Sequence, residues 1–187
     1  MKKTFYLTIV LLSIFSTNAQ IFDINAPGHS YIEMPPGTYI KDINHSFDIF
    51  LGTWKYQNGN EIFIIKLEKS ENLLTPYNNY RDYIKGNYSF STNGGITYIT
   101  NTILNNTSDD PKLNTLYATS ALSQNELDLR FRDVVYNKSC NLMLKFLSGS
   151  TTQLEFKLRN PSRGYLYPEL PPTDNFSVPN NIILTKQ

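Results

Sequence analysis

The stretch Gly52-Thr53-Trp54-Lys55-Tyr56-Gln57-Asn58-Gly59-Asn60-Glu61, continued by Ile62-Phe63-Ile64-Ile65-Lys66-Leu67, decides the fold. Trp54 and Tyr56 alternate with Thr53 and Lys55, the period of a strand with one dry face and one wet face. Asn58-Gly59 then supplies two residues that tolerate φ > 0, as a type I′ turn requires, and the apolar run from Ile62 to Leu67 follows directly. A β-hairpin is the expected product.

The same grammar recurs downstream. Ile84, Gly86, Tyr88 and Phe90 alternate with Lys85, Asn87 and Ser89, Asn93-Gly94-Gly95 marks a turn, and Ile96 to Ile103 reads as the return strand. Leu127, Leu129 and Phe131 alternate with charged neighbours, as do Leu154, Phe156 and Leu158. Asn141 to Leu147 joins the latter run through Ser148-Gly149-Ser150, a hairpin-length connection. Leu113 to Thr119 is a further strand candidate. Thr75 to Tyr83 reads as a loop entering a strand, because Asn and aromatic residues are mediocre helix formers. Pro161, Pro168, Pro171 and Pro172 forbid a helix of useful length. Ile182-Ile183-Leu184, placed after Pro179, reads as a terminal strand closing the sheet. The count of about eight or nine antiparallel strands in hairpin order predicts an all-β domain, a single meander β-barrel, with a β-sandwich as the runner-up.

Composition agrees with one such domain. In 187 residues, 40% are hydrophobic and only 18% charged, which excludes a disordered chain and a highly charged coiled coil. Seventeen basic against 16 acidic residues leave a net charge of +1 and no overall footprint for nucleic acid.

The first 19 residues read as an address. Lys2 and Lys3 precede the apolar run Phe5 to Phe15, and small residues stand at Thr17 and Ala19, the −3 and −1 positions of a signal-peptidase site. The run falls short of the about 20 residues needed to span a bilayer. Cleavage after Ala19 predicts a protein without an integral membrane segment, secreted or periplasmic, that begins at Gln20. Residues 20–46, with three prolines and two glycines, read as an extended leader lying against the domain. Residues 47–187 read as the single barrel domain. One cysteine, Cys140, allows no intramolecular disulfide and reads as a small buried hydrophobe.

Chemistry is sparse in this text. The only histidines are His29 and His45, both in the leader, so no metal cluster is expected and no cofactor is implied. Asn105, Thr107 and Asp109 make only a fragment of a calcium loop. No Gly-x-Ser-x-Gly elbow accompanies the serines. Asp82, Glu126, Asp128 and Asp133 are the carboxylates on which a glycosidase pair would draw, yet Glu126 and Asp128 oppose Leu127 and Leu129 and read as a wet strand face. The expectation is a protein that is not an enzyme.

Aromatic content is the unusual quantity, with 13 tyrosines and 11 phenylalanines. Tyr77, Tyr80, Tyr83 and Tyr88, with Arg81 among them, form the candidate binding rim for a small apolar or glycan-like ligand; cross-strand packing is the competing use. A structural or protein-interaction module of the cell envelope, without a ligand cavity, is the alternative function. The two differ in the lumen: inward Gly52, Gly86 and Ser89 favour a cavity, whereas inward Phe63, Phe90, Phe131, Phe146 and Phe156 favour a plug.

Gly52-Thr53-Trp54 resembles the Gly-x-Trp motif of the lipocalin and calycin group, which implies that Gly52 and Trp54 are structural and that the indole closes one end of a small barrel. The chain departs from that group in having no Thr-Asp-Tyr turn and in placing the proline-rich stretch where a C-terminal helix packs. A broader resemblance rests on Phe50-Leu51-Gly52-Thr53-Trp54-Lys55-Tyr56, on Gly86-Asn87-Tyr88 with Asn93-Gly94, and on Phe176-Ser177-Val178-Pro179 through Lys186. In these the chain is similar to an uncharacterised secreted family of Bacteroidota type, a domain of unknown function, which implies one secreted domain, carries no catalytic residues to transfer and leaves activity open.

Overall fold

A computed structural model describes residues 20–26, 34–104, 108, 110–160 and 175–187. The signal segment, His29, the Asn105/Thr107/Asp109 fragment and the stretch from Pro161 to Pro172 lie outside the described residues. The strands are β1 (Ile21–Asp23), β2 (Tyr39–Lys41), β3 (Gly52–Asn58), β4 (Glu61–Leu74), β5 (Tyr80–Ser91) and β6 (Thr100–Asn101). They continue with β7 (Leu116–Ala118), β8 (Ala121–Ser123), β9 (Glu126–Asp133), β10 (Lys138–Phe146), β11 (Gln153–Arg159) and β12 (Ile182–Lys186). Helix among the described residues is limited to two 3-10 turns, Asp48–Phe50 and Pro111–Leu113.

Eight of these strands close an antiparallel barrel in chain order, β3-β4-β5-β7-β9-β10-β11-β12, with β12 returning to β3. This is the predicted meander. Closure removes the exposed edges that an open sheet would carry. The terminal strand is part of it: Leu154 pairs with Leu184, Thr185 with Lys55, and Leu184 is fully buried.

Alternation sets which face turns inward. Leu127, Leu129 and Phe131 on β9, Cys140, Leu142 and Leu144 on β10, and Leu154, Phe156 and Leu158 on β11 are all buried, while their neighbours point outward. The lumen is packed with rings. Tyr88 stacks on Phe131 at 4.7 Å between centroids, and Phe63 meets Phe156 edge-on at 5.1 Å. An eight-stranded barrel is just wide enough for side chains to fill, and here they do.

Several local expectations are corrected. The first hairpin loop consists of Gly59 and Asn60, because Asn58 already pairs with Glu61; only Gly59 has positive φ, +56°, at the position where a type II′ turn wants glycine. The return strand expected over Ile96 to Ile103 shrinks to β6. The edge of β5 is shared between β6, opposite Ser89 and Phe90, and β7, opposite Ile84 to Gly86, so no long partner fits there. Ile96 and Ile99 stay exposed. Conversely β4 runs on to Leu74, and the loop before β5 shortens to residues 75–79. Gly86 faces inward without opening a cavity: a Cβ there would lie 2.4 Å from the Lys66 carbonyl oxygen. Ser89 has the outward parity of β5 and is covered.

The leader is not merely extended. β1 and β2 pair in parallel and add to the start of β5, also in parallel. Buried Asp82 is the fastening: it accepts from the Tyr39 hydroxyl at 2.5 Å, the Asp42 amide at 3.0 Å and the Asn72 amide at 3.0 Å. The last of these comes from the bulge of β4, where Asn72 takes φ +56°. Burial, then the Asp82 carboxylate, push the Tyr39 phenol well above its usual range.

Candidate functional site

One end of the barrel is built by a short chain of cause and effect. Asp42, fully buried, accepts hydrogen bonds from the Ser46 amide and hydroxyl and the Phe47 amide, and pairs with Lys69 at 3.1 Å. Burial alone would raise the Asp42 carboxyl, but the bonds from Ser46, Phe47 and Lys69 outweigh it and hold the group below its ordinary value. That knot turns the chain across the barrel mouth. Phe47 and Phe50 enter the core, and the Trp54 indole donates to the Phe50 carbonyl at 2.8 Å. Trp54 is fully buried, with Phe146 edge-on at 5.9 Å.

Above this plug lies an open groove of about 590 Å³. Three segments wall it: Asn44, His45 and Ser46 at the end of the leader with Ile49 just beyond, the β8–β9 turn at Gln124 and Asn125, and the β10–β11 loop at Ser150 and Thr151. Phe146 and Ile49 give it an apolar floor, and Lys186 comes from the end of β12. Lys186 is held in place, its Nζ 3.3 Å from the Ile49 carbonyl oxygen and 5.1 Å from the centre of the Trp54 ring. His45 meets Asp48 at 3.1 Å. The polar lining is thus mostly neutral amide and hydroxyl, arranged around an aromatic edge. Such a surface offers paired donors and acceptors to a hydroxylated molecule and little to a strongly charged one.

The tyrosine rim does not assemble. Tyr88 points into the lumen, its hydroxyl accepting from the Val134 amide at 3.1 Å, and burial pushes its phenol up to about 12. Tyr83 and Arg81 are buried, the guanidinium of Arg81 donating to the Thr119 carbonyl at 2.5 Å. Tyr77 and Tyr80 are exposed, and Tyr83 shows only an edge, to a hollow it shares with Leu73, Pro76 and Pro111. The carboxylates that a glycosidase pair would need are also dispersed. Asp82 fastens the leader, and buried Asp133 accepts from Ser177 and from the amides of Val135 and Tyr136. Glu126 and Asp128 lie on the outer face of β9, where Lys145 pairs with Glu126 at 3.2 Å.

Cys140 is fully buried, and its thiol is pushed up by burial and further by Asp133, with Lys138 opposing. A thiol so placed is a poor nucleophile. Among the described residues, no group of three or more His, Cys, Asp or Glu is placed to hold a metal ion, and no helix is long and apolar enough to cross a membrane.

The end groove was not visible in the sequence. Its walls come from segments far apart in the chain, and the one usable signal was that short polar hairpin loops at the same end of a meander must converge. With an aromatic-filled, eight-stranded antiparallel barrel, the molecule is of the small β-barrel class. The chain belongs to a family of unknown function (DUF6705), whose model matches residues 1–187. Neither a curated protein nor a solved structure matches it.

Proposed function

We propose that the protein is an exported, noncatalytic binding module that takes a small neutral, glycan-like ligand in the groove at the plugged end of its barrel. The observation that carries this reading is the division of space: the lumen is filled by Phe63, Tyr88, Phe131 and Phe156, while the groove over Phe146 stays open and is lined with amides and hydroxyls. A filled lumen speaks against an apolar ligand held inside the barrel, as lipocalin-like barrels of this size hold one. Export rests on the signal grammar of residues 1–19, with cleavage after Ala19, and on the likeness to secreted proteins of Bacteroidota type; the destination is the periplasm or the medium.

The test is titration of the purified chain from Gln20 with a panel of neutral oligosaccharides, followed by amide chemical-shift mapping. Shifts confined to residues 44–49, 124–125 and 150–151, abolished in Gln124→Ala/Thr151→Ala, are expected. Saturable binding that leaves these residues unmoved, or no binding across the panel, overturns the assignment. The second result would favour the alternative, a structural or protein-interaction module of the cell envelope, for which a filled lumen is equally suited.

A further inference from the structure

The outer wall of the barrel carries a feature that the end groove does not use. Across β7, β9 and β10 runs a shallow trough, about 290 Å³ in its narrower part, walled by Lys112, Arg130 and Arg132. No carboxylate lines that part. The trough continues into a second hollow of about 470 Å³ that shares Lys112, Tyr117 and Arg130 and reaches Asp128 only at its far side. Register explains the convergence. Tyr117, Arg130, Asn141 and Arg159 form one cross-strand row on the outer face, and Arg132 with Ser139 forms the next row on that face.

These cations are held open. Lys112, Arg130 and Arg132 are exposed, and among the described residues no carboxylate lies within ion-pair distance of any of them. Arg130 is steadied only by a neutral acceptor, donating to the Asn141 side-chain oxygen at 3.1 Å. In a chain of net charge +1 this is a local concentration of positive charge, and it is one that folding, not composition, creates.

We infer that this trough is a second binding site, whose ligand is an acidic polysaccharide bearing carboxylate or sulfate groups. The spacing suits a repeating anion. Arg130 and Arg132 stand two residues apart on one strand, roughly 7 Å, and Lys112 lines the same trough. A compact ion would leave most of these cations unmatched. Beside them lie Ser139 and Asn141, neutral groups suited to sugar hydroxyls, and Tyr117 offers one ring to a sugar face. A single aromatic is too little for a single-stranded nucleic acid, which is bound on successive stacking rings. A concave wall without an apolar wedge is likewise unsuited to a bilayer surface.

The experiment uses the chain from Gln20 with the end groove silenced by Gln124→Ala/Thr151→Ala, and two probes, polygalacturonate and heparin, with dextran as the neutral control and anionic phospholipid vesicles as a separate arm. Binding is measured from about 50 mM to 200 mM salt, over which a contact made through several cations weakens steeply. Arg130→Gln and Arg132→Gln are each expected to lower affinity about fivefold, the upper end for an exposed ion pair, and their combination about 25-fold. Lys55→Gln, on the opposite wall, is expected to leave binding unchanged, and the thermal midpoints of the Arg130 and Arg132 variants are expected to match the parent because these side chains are exposed. Failure of both acidic polymers to bind, binding unaltered by the double substitution, or binding to vesicles alone overturns the inference. None of these outcomes bears on the end groove, since no residue of the trough lines it.

Discussion

Trp54 is the chain's only tryptophan, and its replacement probes the plugged barrel end directly. Truncation to Ala removes a fully buried indole, a change that costs about 3 to 5 kcal/mol in a well-packed core. It also strips the Phe50 carbonyl of its 2.8 Å partner and Phe146 of its edge-on contact, so the upper half of that range applies. At roughly 2 to 4 °C per kcal/mol for a domain of this size, the thermal midpoint should fall by roughly 8 to 20 °C. Trp54→Phe separates the contributions. It keeps most of the ring and loses the N–H donor, for which about 1 to 3 kcal/mol is expected. Chemical denaturation followed by far-ultraviolet circular dichroism measures both variants on one scale. The parent adds an independent reading, since its single indole should emit with a blue-shifted maximum. A water-like maximum in the folded protein, or an Ala variant as stable as the parent, would refute the argument that Trp54 closes the barrel.

Gly86→Ala should destabilise by about 3 kcal/mol or more, at the upper end for overpacking, because the new methyl meets the Lys66 carbonyl oxygen at 2.4 Å and Leu67 at 2.8 Å; a denaturation midpoint equal to the parent's would show that β4 and β5 separate freely. Deleting residues 180–187 takes away β12 and Asn180, whose side chain bonds the Leu158 backbone twice, and should expose the edges of β3 and β11; size-exclusion chromatography is expected to show aggregates, and a soluble monomer of unchanged midpoint would count against closure by this strand. Asp42→Asn should cost less than the roughly 3 to 5 kcal/mol of orphaning a buried ion, because Asp48 and Glu71 still face Lys69 at 3.6 and 3.5 Å. Its pH signature follows from the sign of the shift. The Asp42 carboxyl is held below its unfolded value of 3.8, so its contribution is present above that value and is lost as pH falls through the lower folded value. Stability measured from neutral pH to below pH 3.8 should therefore converge between parent and variant at the acid end, and a gap that stays constant would remove Asp42 from the account.

Local text determined a great deal of this protein. Period-two alternation, glycine-bearing turns and the absence of any helical period specified an all-β meander, since each strand's dry face is written in its own residues. The burial of Trp54 and the use of Ile182 to Leu184 as a closing strand followed from the same logic, because an apolar segment between polar neighbours has one place to go. The tertiary structure decided what local text does not encode. Tyr88 looked like its neighbours Tyr80 and Tyr83 in composition, yet strand parity and closure sent it into the lumen, against Phe131. Ile96 to Ile103 had the residues of a strand, but β7 held part of the β5 edge. The end groove and the cationic trough are wholly of this second kind. The walls of the groove come from segments far apart in the chain, carried to one end by barrel closure with Asp42 and Asp82 fastening the leader across its mouth, and the cations of the trough are aligned by the register of β7, β9 and β10.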